Sequence, residues 1–468
     1  MQQPSEEYLE MHPRLSTHNS EESNLIDDMD SRPEDDSKLL RKLGFSFFLF
    51  GLVNNVLYVI ILSAALDLVP PSTPKGIIAF CNIAPALAAK VGWPYILKGR
   101  IRYAKRLTGC CVLSSIGMLI VASFDSLYAR LLGISLASFS SGLGELTFLQ
   151  LSTTYAPPSV LGTVSGLVGA FLWWELRGFG VRVGVGLSSV LPIIIPATYF
   201  FLLPSSSAFL YSMPQSSYDE QGSALPYTPL PANEEEIGEE EGILRAVPRK
   251  NFSLSFNDKL RLVKPLLMRY MLPLCKSLSD FEYTINQGVA PTLLYPVPSP
   301  EKYWLLSKII KSVRDYYPLW QLVYQTTVFL SRSSISIGIP PLPQNLLPLP
   351  SVLQGLILLL LAFESSVGFY AEDAEGLSIL TVFFLISLEG ICGGLAYVNA
   401  FYRVNQERPD PSTAHDMERA KQEKEFKIGS IGFADSSGIL FASLLAVPTE
   451  LALCKAQTRR GKMLCKGL

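Results

Sequence analysis

The 468-residue chain is 49% hydrophobic and only 17% charged, with a mean hydropathy of +0.28. Soluble domains carry roughly 25% charged residues, so much of this surface does not face water. The net charge of -2 lacks the basic character that a nucleic-acid partner selects, and none is expected.

Residues 1–42 are rich in Ser, Asp and Glu and are predicted to form a disordered cytosolic tail. No basic leader precedes the first apolar run, so that run is expected to insert and remain. A membrane span needs about 20 mostly apolar residues. About eleven transmembrane segments are predicted. The first six are Leu43–Leu66, Gly76–Leu97, Leu107–Phe124, Leu131–Thr154, the short Leu161–Trp174, and Val183–Leu203. The others are Pro265–Tyr295, the short Pro318–Ser331, Leu346–Phe363, Leu377–Tyr402 and Ile428–Val447. The expected organisation is a six-helix lobe over 43–203, an acidic cytosolic loop over 204–264, a second lobe over 265–449 and a basic tail over 450–468.

Lys and Arg near span ends mark the cytosolic side. The loop bearing Lys98, Arg100, Arg102, Lys105 and Arg106 therefore puts the N-terminus in the cytosol. Lys302, Lys308, Lys311 and Arg314 then fall on the luminal side, against the rule. So does the tail bearing Lys455, Arg459 and Arg460.

An ionised side chain inside a span costs about 2.5–3.5 kcal/mol on insertion scales, so each one needs a reason. Glu145, Glu282, Glu389 and Asp435 all lie within predicted spans, and Lys90 lies late in the second. Small residues flank the acids, as in Ser140-Ser141-Gly142-Leu143-Gly144-Glu145 and Glu389-Gly390-Ile391-Cys392-Gly393-Gly394. Asn54, Asn55, Asn286, Gln287 and Asn399 supply polar company. Taken singly, each of these is as readily a structural hydrogen bond between helices. Taken together, they suggest a polar path with acids for a proton or a cationic solute.

Glycine-rich glutamate motifs six spans apart, and Asn clusters in the first and seventh spans, suggest two parallel repeats in a major-facilitator-like, two-lobe, all-α fold. The three histidines (His12, His18, His415) lie outside the spans, so a proton relay must use carboxylates. No nucleophile–base set, metal-ligand spacing or phosphate-binding loop is present, so neither an enzyme nor a cofactor is expected. Seven cysteines without a C-x-x-C pair support neither a disulfide framework nor a zinc site.

The run Gly51–Ala65 with its Asn54-Asn55 pair resembles the first span of the battenin family, the Batten disease proteins. So do Ser140–Glu145 with Thr147-Phe148-Leu149, and Glu282-Tyr283-Thr284-Ile285-Asn286-Gln287-Gly288. Tyr324-Gln325 with Ser331-Arg332-Ser333-Ser334, Glu389–Gly394 with Ala396-Tyr397-Val398-Asn399, and Asp435 with Gly438 complete the set. The matches run in order from about residue 43 to 454. Trp173-Trp174-Glu175-Leu176-Arg177 is similar to the fungal branch.

The resemblance implies a multi-spanning protein of the lysosome or fungal vacuole membrane, related to equilibrative nucleoside transporters. It implies a role in vacuolar pH homeostasis and in basic amino acid (arginine) transport, and for animal members glycerophosphodiester export. A reduced stretch at Gly162–Ser165, and the charges Lys276 and Asp280, depart from the family pattern.

The expected partners are membrane lipid, a small solute and trafficking adaptors. Glu21-Glu22-Ser23-Asn24-Leu25-Ile26 fits an acidic dileucine sorting signal, with Glu21, Leu25 and Ile26 as its key residues. Asn251-Phe252-Ser253 is a glycosylation sequon on the cytosolic side, expected to be unused. Cys465-Lys466-Gly467-Leu468 is a poor prenylation box. The competing functional class is a membrane regulator of vacuolar pH or trafficking that transports nothing.

Overall fold

The computed structural model describes residues 32–68, 70, 73–96, 102–152, 164–204, 280–370, 374–406 and 417–467. Among them the chain is all-helical. The sorting signal at Glu21, Leu25 and Ile26, the central loop with its sequon, and the charges at Lys98, Arg100 and Lys276 lie outside the described residues.

Among the described residues, eleven helical segments overlap the predicted spans, in the same order. They are α1 (Arg32–Ser63), α2 (Gly76–Ile96), α3 (Tyr103–Ser123), α4 (Leu127–Ser152), α5 (Val164–Leu176) and α6, a rod over Val181–Leu202 that ends in a π turn. The second group begins with α7 (Asp280–Thr284, continued by a π turn over Ile285–Val289). It continues with α8 (Tyr316–Arg332), α9 (Leu349–Ser366), α10 (Glu375–Gln406) and α11 (Met417–Arg459). Seven of these, in α1, α3, α4, α6, α9, α10 and α11, are long and apolar enough to cross a membrane.

Two boundaries differ from expectation. Residues 32–42, expected to be disordered, are helical: Pro33 sits in the first turn, where its missing N–H costs nothing. The last helix runs well beyond Val447, through Pro448 to Arg459, because the apolar run resumes at Leu451-Ala452-Leu453. A proline inside a membrane helix is tolerated where neighbours satisfy the freed carbonyl.

Polarity is inverted relative to a soluble protein. Leu359 and Phe384 are 68% and 63% exposed, whereas Glu389 and Gln354 are fully buried. The outward apolar faces suit lipid, and the polar groups converge inside. Close backbone approach substitutes for a hydrophobic drive between helices in lipid. At the α3–α4 crossing, a Cβ on either Gly117 or Gly133 would lie 2.6 Å from the other's carbonyl oxygen, so only glycine fits.

Successive connections alternate between two ends of the bundle. At one end, Arg130 donates to the Leu68 carbonyl, Arg314 faces Asp67, Lys75 meets Glu450 and Gln457 donates to the Thr292 carbonyl. The last turn of α11 and the turn Leu464–Gly467 meet there, and Cys454 and Cys465 form a disulfide with Cα atoms 5.7 Å apart. This corrects the expectation of no disulfide. A pair eleven residues apart becomes bridgeable only because the chain folds back after Gly461, whose φ is 87°. It also occupies the sulfur of the weak prenylation box. Denatured protein should show two further alkylatable thiols after reduction, and the gain should vanish in Cys465→Ser; an unchanged thiol count would contradict the bridge.

Candidate functional site

The polar centre is built mainly from α7, α8, α9 and α10. Glu282 and Asn286 sit one turn apart on α7, four residues being the helical repeat that puts side chains on one face. Asn286 donates to its own helix at the Glu282 carbonyl (3.0 Å) and across to Glu389 Oε1 on α10 (2.8 Å). Gln321 of α8 donates to Asn286 Oδ1 (3.2 Å), fixing the amide's orientation. The Tyr324 hydroxyl donates to Glu282 Oε1, and Gln354 Nε2 of α9 reaches Glu282 Oε2 (3.4 Å) and the Glu389 carbonyl (3.5 Å). One hydrogen-bonded array thus holds two carboxyls from helices far apart in sequence.

The array is incomplete. Glu389 Oε2, Gln354 Oε1 and both amide atoms of Gln287 are buried with no hydrogen-bond partner among the described residues. Native structures leave few buried polar atoms unpaired, and those left suit a proton, water or solute. The π turn over Ile285–Val289 carries Gln287 and widens the helix where this occurs; such turns recur at functional sites.

The glycines of the α10 motif have a direct purpose. A Cβ on Gly393 would lie 2.7 Å from the Glu282 carboxyl, so the motif vacates the space that Glu282 fills. Ser331 of α8 donates to the Gly390 carbonyl (3.2 Å), locking α8 against α10.

A cation stands nearby. Arg332, at the end of α8, lies over the Tyr397 ring at 4.1 Å and within electrostatic reach of Glu282. Its Nε is buried without a hydrogen-bond partner.

The first helix group contributes a second, smaller cluster. Lys90 forms an ion pair with Glu145 (2.7 Å) and donates to Ser436 Oγ on α11 (3.2 Å), beside Asp435. Asn54 donates to the Ser141 carbonyl (3.2 Å) and Asn55 to Ser165 Oγ (2.8 Å).

The structure therefore sorts the predicted residues. Glu282, Asn286, Gln287 and Glu389 come together, and Lys90, Glu145 and Asp435 line the junction of α2, α4 and α11. Asn54 and Asn55 brace helices within the first group. Asn399 belongs elsewhere: its Oδ1 accepts from the Leu342 backbone (2.7 Å), so it pins a loop and is not part of the polar array. The two glycine-rich glutamates also end differently, Glu389 wholly buried and Glu145 half exposed.

Sequence reasoning missed Gln354, Gln321, Tyr324 and Arg332 as site residues. Gln354 breaks the apolar stretch between Val352 and Phe363 of α9, which is the signal that marks it.

At the end of the bundle bearing Lys75, charges bridge the two helix groups. Arg177 Nη1 meets Asp315 Oδ1 (3.0 Å) while its guanidinium lies over Trp174 (3.7 Å). Burial raises the Asp67 carboxyl above the usual carboxylate range, against the pull of Arg314 and Arg177. Burial likewise lowers the Lys75 ammonium, against the pull of Glu450. Each charge there is costly to bury and leans on its partner.

The CLN3 protein family model matches residues 45–456. The chain belongs to this family. Protein BTN1 of Cryptococcus neoformans var. neoformans serotype D is 44% identical over 92% of this chain and 96% of its own length. Protein BTN1 of Mycosarcoma maydis is 43% identical over 91% and 88%, and Protein btn1 of Schizosaccharomyces pombe 37% identical over 91% and 97%. A mutant of the nucleoside transporter NupG superposes with a TM-score of 0.51 at 12% identity, covering 89% of this chain and 99% of that one. That likeness shows the fold alone, and it is the major-facilitator kind. The CLN3-family chain is a multi-pass, all-helical membrane protein with a major-facilitator-like fold.

Filling the Gly393 space should displace Glu282. Gly393→Ala is expected to destabilise the protein by about 1–3 kcal/mol, the usual cost of overpacking, measured by thermal unfolding in detergent. An unchanged midpoint would show that the glycine does not shape the site.

Proposed function

We propose that this chain is a secondary transporter of the fungal vacuole membrane, the lysosome equivalent, carrying basic amino acids such as arginine and so contributing to vacuolar pH homeostasis. The observation that carries this reading is the buried array itself: two carboxyls, Glu282 and Glu389, with Glu389 Oε2 unpaired among the described residues, beside the Arg332 guanidinium. A buried carboxylate is costly unless a cation or proton meets it. A basic amino acid offers a cationic tail for the acids and a carboxylate for Arg332. Protons exchanging on the same acids link the solute to the pH gradient.

The orientation puts the basic loop after α2 in the cytosol and the Lys75 end in the lumen. The Cys454–Cys465 bridge at that end agrees, since disulfides persist in oxidising compartments. The two groups of helices, as lobes, rock about the site and expose it to each side in turn. The dileucine signal in the N-terminal tail supplies the route to the vacuole through adaptor coats.

One observation favours a second reading. A guanidinium stacked on a ring with a buried, unpartnered Nε also suits a phosphodiester, which makes a glycerophosphodiester the alternative solute.

Labelled arginine uptake into proteoliposomes tests the proposal. Loss of a buried charged contact costs about 2–5 kcal/mol, so Glu389→Gln should cut uptake at least about tenfold with the fold intact. Full-rate uptake in the Glu282→Gln/Glu389→Gln double variant overturns the assigned site. Glycerophosphodiester flux that requires Arg332, with no arginine flux, establishes the second reading. No flux of either solute points to a non-transporting regulator.

A further inference from the structure

Four cations, Lys302, Lys308, Lys311 and Arg314, fall on the side where the distribution of positive charge does not expect them. The structure gives one of them a specific task. Arg314 Nη1 faces Asp67 Oδ1 at 3.9 Å, across the boundary between the two helix groups. The adjacent Asp315 takes Arg177 across the same boundary. A third crossing pair is buried: Glu450 of α11 accepts from the Lys75 backbone N–H (2.7 Å) and faces its ammonium (3.7 Å). These three ion pairs join the two groups at the same end of the bundle. Asp125 pairs with Arg130 and Arg182 within the first group, and Arg130 also holds the Leu68 carbonyl beside Asp67.

The elements that carry these pairs are anchored. Asp315 Oδ2 accepts from the Lys311 and Ser312 backbone N–H groups, so its carboxylate is fixed before Arg177 reaches it. Gly76, next to Lys75, packs directly on the Ser443 carbonyl and Val447 of α11. Asp315 and Lys75 are thus held in place at the boundary, unlike the partners of mobile surface pairs, which contribute little.

We propose that Asp67–Arg314, Arg177–Asp315 and Lys75–Glu450 form the luminal gate, holding the two helix groups together at that end until the site opens to the lumen. This rests on the transporter reading and names the residues that switch access. The structure is accordingly the luminally closed state.

The test reads gate opening without any solute, so it stands apart from the identity of the cargo. A reporter Ser443→Cys is placed in full-length protein whose native free cysteines are replaced. Ser443 is fully buried behind the gate. Its rate of labelling by a membrane-impermeant maleimide in nanodiscs is measured. Asp67→Arg and Arg314→Asp should each speed labelling at least about fivefold, the scale of an ordinary conformational coupling. The combined Asp67→Arg/Arg314→Asp exchange should return the rate to that of the parent, which general unfolding does not do. If the single reversals do not fold, Arg177→Gln and Glu450→Gln replace them as milder openings. Arg177→Lys, which keeps the charge, should open less than Arg177→Gln. Unchanged labelling in the variants, or an exchange that fails to restore protection, overturns the gate.

Discussion

Two carboxyls buried in a helix bundle set the constraint that the rest of the structure answers. Glu282 and Glu389 come from α7 and α10, and neither has bulk water to solvate it. Asn286, Tyr324 and Gln354 meet their oxygens, Gln321 orients Asn286, and Gly393 clears the volume that Glu282 needs. A hydrogen bond left unmade in such a place costs more than one made there contributes. Among the described residues, atoms on Glu389, Gln354 and Gln287 nevertheless remain unpaired, and the transport proposal puts the solute there.

The two ends of the bundle complement that centre. At one end, ion pairs tie the helix groups together across α2–α11, across the α5 and α8 ends, and beside Asp67. Away from that end, the groups also touch through Lys90 on Ser436 and the close approach of Gly166 to Gln325. In the proposed cycle this arrangement opens by rotation of one group against the other, which breaks the charged pairs at that end and leaves the helices intact. The C-terminal clip keeps the end of the second group rigid during that rotation: Gln457 holds the Thr292 carbonyl and Ser365, and the Cys454–Cys465 bridge follows directly.

Much of this was legible in the residues. Long apolar runs place the helices, and an acid inside such a run declares itself by its cost, which is why Glu282 and Glu389 stand out. Asparagine is less informative. Asn286 and Asn399 look alike in a sequence, yet one holds a carboxylate and the other pins the loop at Leu342, because the partner comes from a helix distant in the chain. Glu145 and Glu389 share a glycine-rich motif but differ in burial, since Lys90 draws Glu145 toward an open junction. The Cys454–Cys465 bridge was hidden for a different reason. It depends on a helix that continues through Pro448 and a turn at Gly461, neither of which cysteine spacing reveals.

In the proposed cycle the buried carboxyl pair exchanges a proton for the cationic solute. Infrared difference spectroscopy of the reconstituted protein reads this directly, because a protonated carboxyl has a carbonyl band that its ionised form lacks. Arginine should remove such a band, and the change should disappear in Glu389→Gln. A spectrum with no carboxyl change on adding arginine, or the same change in that variant, would contradict it.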